Sequence, residues 1–348
     1  MTGLGIRTEK ILEAIVTEYI LTGEPVGSRT VSRMKDIGLS AASIRNIMSD
    51  LTDLGYITQP HVSAGRIPTD VGYRFYVDAM LEAAPLTVGE QITIESLISE
   101  AGLDIRDVLR QSSAVLAELS RQAGVVTATP ALEQTFKTIE FIKVSNDKIL
   151  VVLISTSGFV QNKMILDENN VDQTTLESYS RMLNDMLKDL DLSQAKERIE
   201  QELATEKARV NAILAKVLNL SHIILSQKNS REVFIEGQAN ILDDPEFAQV
   251  EKLRAILTTF EQKSTLLKIL DKTLKAKGIQ ILIGSEHGVD KISSCSIVAY
   301  PIRTGGAIVG SIGVIGSKRM NYQKVVPLVD TTARILIRLL SRMIERAD

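Results

Sequence analysis

The chain has no tryptophan, and aromatics make up only 4% of its 348 residues. That is too few for the stacked platform on which single-stranded nucleic acid is held. The one cysteine, Cys295, excludes an internal disulfide, and such scarcity fits a reducing compartment. The opening stretch MTGLGIRTEK lacks the apolar core of a secretory leader. Apolar runs such as Ile149-Leu150-Val151-Val152-Leu153-Ile154 are far shorter than the ~20 residues of a membrane span. A cytoplasmic protein without membrane contact is expected. Neither sign of charge dominates, with 40 basic against 43 acidic residues and a net charge of −3. A nucleic-acid site must therefore be local.

What is present is a globular composition, 44% hydrophobic and 24% charged, on a chain long enough for two or three cores. Residues 7 to about 80 read as a compact helical unit with a short hairpin. Ile11, Leu12, Ile15, Val16 and Tyr19 recur at helical spacing up to Gly23. After the turn Pro25-Val26-Gly27, Ser28 is placed to cap a second helix reaching about Asp36. Ser40 caps a third, from Ala41 to Leu54, and Gly55 to Thr69 carries hairpin signals. Helix, turn, helix, then hairpin is the order of a winged helix-turn-helix.

Beyond the linker at Ala83-Ala84-Pro85, a helical stretch runs from Val88 to about Gln122. Strand-forming runs at 137–144, 148–155 and 159–166 suggest a meander. The stretch from Asp172 to Ser226, free of glycine and proline, reads as helical, as does Glu246 to Lys277. Strands return at 233–236, 279–284, 296–301 and 307–315, with Thr304-Gly305-Gly306 as a hairpin turn and a helix from Tyr322 to Arg346. The class expected is α+β and multidomain. A sheet begun before residue 170 and completed after 278 makes the helical block between them an insertion.

On the third helix, Ile44, Ile47, Met48, Leu51 and Leu54 share one face and are expected to pack inward. The opposite face carries Ala42, Arg45, Asn46, Ser49 and Asp53. The small residues, with Ser43, let the helix start approach a groove, while Arg45 and Asn46 suit guanine and adenine edges. Ser28, Arg29, Arg33 and Lys35 on the second helix, and His61, Ser63 and Arg66 in the wing, are candidates for positioning contacts to phosphate. A bare interaction module with solvated charges remains the alternative at this point.

The residues that decide between them are Pro25-Val26-Gly27-Ser28, Ser43-Ile44-Arg45-Asn46, Gly55-Tyr56, Gln59-Pro60-His61-Val62-Ser63-Ala64-Gly65-Arg66-Ile67-Pro68-Thr69 and Gly72-Tyr73-Arg74-Phe75-Tyr76-Val77. Phe234-Ile235-Glu236-Gly237, Gly313-Val314-Ile315-Gly316 and Arg319-Met320-Asn321-Tyr322 continue the pattern. Together they closely resemble the bacterial heat-inducible transcription repressor family HrcA, over essentially the whole chain. Ile47, where many relatives carry an acid, and Ser317-Lys318, where proline is usual, depart from it. The second departure is expected to affect only a loop.

The resemblance implies a winged helix-turn-helix at 1–82, a GAF-like domain from 83–170 and 229–348, and an inserted dimerising segment at 171–228. It implies repression of chaperone operons by a homodimer on an inverted-repeat operator of double-stranded DNA, with a GroEL-type chaperonin sustaining the active form. For the dimer, stripes at Leu176, Tyr179, Leu183, Met186, Leu187 and Leu190, and at Ile199, Leu203, Val210, Ile213, Leu214, Val217 and Leu218, are the expected contacts. The competing expectation is that they cover the chain's own core.

No spacing among His61, His222, His287 and Cys295 suggests a metal site, and no nucleophile elbow, Walker or dinucleotide fingerprint occurs. Neither an enzyme nor a cofactor is expected. Cys295 and His287 read as structural. A metabolite-sensing GAF-like domain is the second functional possibility, resting on fold analogy alone.

Overall fold

The computed structural model describes residues 4–35, 37–62, 64–102, 104–129, 136–156, 160–167, 170–188, 190, 192–204, 231–304 and 307–347. The expectations for Asp36, Ser63, His222, Gly305-Gly306 and the stretch 205–226, with Val210, Ile213, Leu214, Val217 and Leu218, lie outside the described residues.

Helix α1 (Ile6–Thr22) buries Ile11, Leu12, Ile15 and Val16, the residues its spacing selects. Helix α2 (Ser28–Ser32) is a single turn. Gly27 holds its cap position, so the cap expected at Ser28 is not formed. The chain turns away at Arg33, whose N–H bonds back to Thr30, well short of Asp36. Helix α3 (Ala41–Asp53) has the expected cap, Ser40 Oγ accepting from the Ser43 N–H at 3.2 Å. It buries Ile44, Met48 and Leu51. Leu54, expected on that face, lies past the helix end and is 58% exposed. Strands β1 (Ile57–Thr58) and β2 (Ile67–Pro68) pair antiparallel. Helix α4 (Asp70–Ala79), capped by Thr69, closes the unit.

The stretch expected as one helix from Val88 to Gln122 is two, α5 (Val88–Ser99) and α6 (Ile105–Ser120). They part at Gly102, whose φ of +82° is one that residues with a side chain rarely adopt. Strand β3 (Ala123–Ala128) follows, buried at every position. A strand covered on both faces shows no polar–apolar alternation, which is why its spacing gave no signal.

The meander is present as β4 (Phe136–Ser145), β5 (Lys148–Ser155) and β6 (Val160–Leu166). It forms a three-stranded sheet of its own. Helices α7 (Gln173–Leu187) and α8 (Leu192–Ala204) follow. The larger sheet runs β7 (Glu232–Glu236), β3, β10 (Ala307–Ser317), β9 (Cys295–Thr304) and β8 (Gln280–Ile283), with every neighbour antiparallel. Alternate residues feed its two faces. Val126, Val298, Ile312 and Val314 join the core under α5, α6 and the last helix, α11 (Tyr322–Ala347). Val125, Ile297, Ala299 and Ile315 join a second core with α9 (Val250–Glu261) and α10 (Lys263–Leu274). The body is thus a three-layer sandwich of helices, sheet and helices.

The small sheet has a separate core. Leu176, Tyr179, Leu183 and Leu187 of α7 are buried against Phe136, Ile139, Phe141, Ile149, Val151 and Leu153. Helix α7 also satisfies the edge of β4: Asn184 Oδ1 accepts from the Ile139 N–H at 2.8 Å, and Ser180 Oγ from the Phe141 N–H at 3.1 Å. The α7 stripe therefore covers its own chain, and the dimer contact expected at Leu183 is corrected accordingly. The sheet's other face carries Ile142, Val144, Leu150, Val152, Ile154, Val160, Met164 and Leu166, with Met164 49% and Leu166 72% exposed, interspersed with Thr138, Glu140, Lys148 and Asn162.

One core also runs from the N-terminal unit into the body, with Tyr73 of α4 packed on Tyr322 of α11, ring centroids 6.4 Å apart. Tyr322 donates to Ser296 Oγ at 2.8 Å, whereas the buried Tyr73 hydroxyl has no partner among the described residues. Tyr73→Phe removes that unmatched group and keeps the ring, so it is expected to stabilise the fold by about 1 kcal/mol. Thermal denaturation reads the gain as a raised midpoint, and a lowered midpoint would show that the hydroxyl is satisfied in solution.

Candidate nucleic-acid interface

The outer side of α3 is set by its periodicity: once Ile44, Met48 and Leu51 turn inward, Ala42, Ser43, Arg45, Asn46, Ser49, Asp50 and Asp53 are left exposed. Ser43 also meets Ser40 Oγ at 3.0 Å, which ties the helix start to its cap. Arg29 and Arg33 are exposed beside it, and Ser28 is half-buried in the first turn of α2.

Arg45, Arg29, Arg33 and Lys35 form no ion pair with any described carboxylate. In the body, by contrast, Arg231 pairs with Asp271, Arg334 with Asp330 and Arg338 with Glu95. Uncommitted cations gathered on a small unit are what a phosphate backbone attracts, even on a chain of net negative charge. Asp50 and Asp53 occupy the far half of α3, so the favourable field lies at its N-terminal half.

The β1–β2 hairpin, expected as the wing, is braced from within. Its strand returns to the loop before α2, where Val26 and Arg66 exchange backbone bonds of 2.8 and 2.9 Å. Gly65 passes so close that a Cβ there would sit 2.6 Å from the Pro25 and Val26 carbonyls. Arg66 Nε donates to Thr52 Oγ1 of α3 at 3.2 Å, coupling wing to helix. Gln59 Nε2 donates to the carbonyls of Val62 and Ala64 at 2.8 and 3.0 Å. His61 is exposed and Val62 99% exposed at the tip. The structure thus brings together the described candidates on α2, α3 and the wing. Sequence reasoning missed Gln59 and Thr52, whose polar side chains beside a turn were the available signal.

The remaining polar candidates are structural. His287 is buried, its Nε2 facing the Ile292 carbonyl at 3.0 Å while Nδ1 accepts from the Val289 N–H at 3.2 Å. Burial, reinforced by Lys272, holds its pKa below the usual histidine range. Burial pushes the Cys295 thiol up to about 12, so its reactive thiolate is suppressed. Among the described residues, no group of three or more His, Cys, Asp or Glu is placed to hold a metal ion, and no helix is long and apolar enough to cross a membrane.

Residues 106–326 match the family described as HrcA protein C terminal domain. The chain belongs to the HrcA family. It is 40% identical over 342 residues to the heat-inducible transcription repressor HrcA of Syntrophobacter fumaroxidans, covering 98% of both chains. It is 41% identical over 340 residues to that of Geobacter sulfurreducens, covering 98% of this chain and 99% of the other. A crystal structure described only as that of a hypothetical protein shares the fold with a TM-score of 0.71, at 25% identity over 98% of this chain and 100% of that one. As a member of the HrcA family, the chain is a heat-inducible transcription repressor.

Proposed function

We propose that the chain represses by binding an inverted-repeat operator in cytoplasmic double-stranded DNA as a homodimer, with residues 1–82 serving as a winged helix-turn-helix. The observation that carries this reading is the exposed N-terminal face of α3, where Arg45 and Asn46 stand beside the uncommitted Arg29 and Arg33. Arg45 and Asn46 read bases, while Arg29, Arg33, Arg66 and the wing residues His61 and Ser63 position the backbone. No step of this function is catalytic. The three-layer body corresponds to the GAF-like domain, and nothing among the described residues or the relatives favours a metabolite as its signal.

Because β4–β6 form their own sheet and core with α7 and α8, the inserted unit starts ahead of β4 in this reading, not at residue 171. Its outer face, with Ile142, Leu150, Met164 and Leu166 beside a polar strip at Glu140 and Asn162, supports a second copy as the cover. Heat releases the repressor by loosening these separate, individually marginal cores, and a GroEL-type chaperonin restores the folded form.

A gel shift on an inverted-repeat operator against a scrambled duplex tests the reading. Arg45→Ala is expected to cost about 1–3 kcal/mol per half-site and to relax selectivity at one base position. Unchanged relative affinity for operator and scrambled DNA would remove α3 as the reading helix.

A further inference from the structure

The α3 reading head is held on the body by a clasp that the operator reading does not use. On α4, Asp70 and Arg74 stand one helical turn apart, at i and i+4, and both reach into the body. Asp70 accepts from Lys318 Nζ at 2.7 Å and from the Ser285 N–H at 3.1 Å. Arg74 makes a two-pronged pair with Glu286, and its Nη2 also donates to the Ile281 carbonyl at 2.5 Å. Each of these four charged side chains is less than one-third exposed.

The loop that supplies Ser285 and Glu286 is built rigidly. Glu286 accepts from the Ile283 N–H at 2.8 Å, Lys272 Nζ donates to the Glu286 and His287 carbonyls at 3.2 and 2.8 Å, and buried His287 ties the loop to Val289 and Ile292. Gly284 makes the approach feasible. Its φ is +54°, and a Cβ there would lie 2.2 Å from Asp70 Oδ2. Burial alone would raise the Asp70 carboxyl, but the bonds from Lys318 and Ser285 outweigh it and hold the pKa below the usual carboxylate range.

A second grip lies on α1. The Arg319 guanidinium sits over the Tyr19 ring at 5.4 Å, and its Nε donates to the Tyr19 carbonyl at 3.3 Å.

Two charged contacts on successive turns of one helix, with a third point on another, remove both pivot and slide. With them broken, the head keeps its packing of Tyr73 on Tyr322 and the irregular residues 81–87, a tether able to span about 23 Å when extended. Such a tether lets two heads of a dimer find half-sites at many separations, whereas locked heads fit one.

We propose that the clasp of Asp70 and Arg74 with Lys318, Ser285 and Glu286 determines which half-site spacing the repressor accepts. This rests on the operator reading above, and its test separates the two. Spin labels at Lys10→Cys on α1 and Lys268→Cys on α10, both exposed, report the head–body distance without DNA, the native Cys295 being buried. The intact chain is expected to give one narrow distance distribution, Arg74→Glu and, separately, Lys318→Ala a broad one, and Arg74→Glu with Glu286→Arg a narrow one again.

On operators whose half-sites are moved apart by half a helical turn, about 5 base pairs, the intact chain is expected to lose roughly 100-fold in affinity and Arg74→Glu less than about threefold. An Arg74→Glu chain with narrow labels, or with the full spacing dependence of the intact one, overturns the proposal. Narrow labels in an intact chain that binds without preference for an inverted repeat overturn the operator reading instead, and leave the clasp as a rigid seam.

Discussion

Leu150→Glu together with Met164→Glu is expected to yield folded monomers whose operator affinity is lower by a factor on the order of 10²–10⁴. The two residues are direct cross-strand partners of β5 and β6. Both point to the open face of the small sheet, opposite the side that holds Val151 and Leu153 in the core. Met164 is 49% exposed and Leu150 half-buried, so a carboxylate there can reach water in the monomer, but it cannot be buried against a second copy without a partner. A single head contacts too few base pairs to stand out among competing genomic sites, so loss of the dimer removes the gain from the second half-site. Light scattering alongside an operator titration measures both quantities. A double variant that stays dimeric and binds normally would put the contact elsewhere.

Leu183→Ala is expected to behave in the opposite way, costing about 2–5 kcal/mol of stability by opening a cavity in a tightly packed core. Leu183 is completely buried between α7 and the inner face of the small sheet. If the stripes were the dimer contact, charged residues at Leu183 and Leu214 together would give folded monomers. In this packing a charge at Leu183 is buried unpaired and unfolds the unit instead. Denaturant unfolding followed by circular dichroism separates the outcomes. A Leu183→Ala chain with unchanged midpoint and lost dimerisation would restore the stripe as the contact.

The pair of substitutions marks where pattern reading stops. A stripe at three- and four-residue steps says that one face of α7 is covered, yet the same stripe serves a partner chain or the chain's own sheet. The neighbouring sheet shows the converse. Its outer residues Ile142, Leu150 and Met164 sit within runs that read only as β-rich, and their open face emerges from the register of three strands. Lys318 repeats the lesson on a smaller scale: expected to matter only within a loop, it pairs with Asp70 of α4 across 248 residues of chain.

What the sequence determined by itself is what depends on near neighbours. The inward stripe of α1, the Ser40 cap, the exposed Arg45 and Asn46, the hairpin and the order of the tail strands all follow from periodicities and turn residues within a few positions of each other. The motifs of the head and the tail likewise carried the family. Tertiary structure alone decided that β3 exists and sits inside the larger sheet, that β4–β6 leave that sheet for one of their own, and that Gly284 to His287 close on the N-terminal unit. Strand pairing and helix docking depend on which distant segments can bury surface and match backbone groups together. That choice is made by the whole packed chain, and no local window contains it.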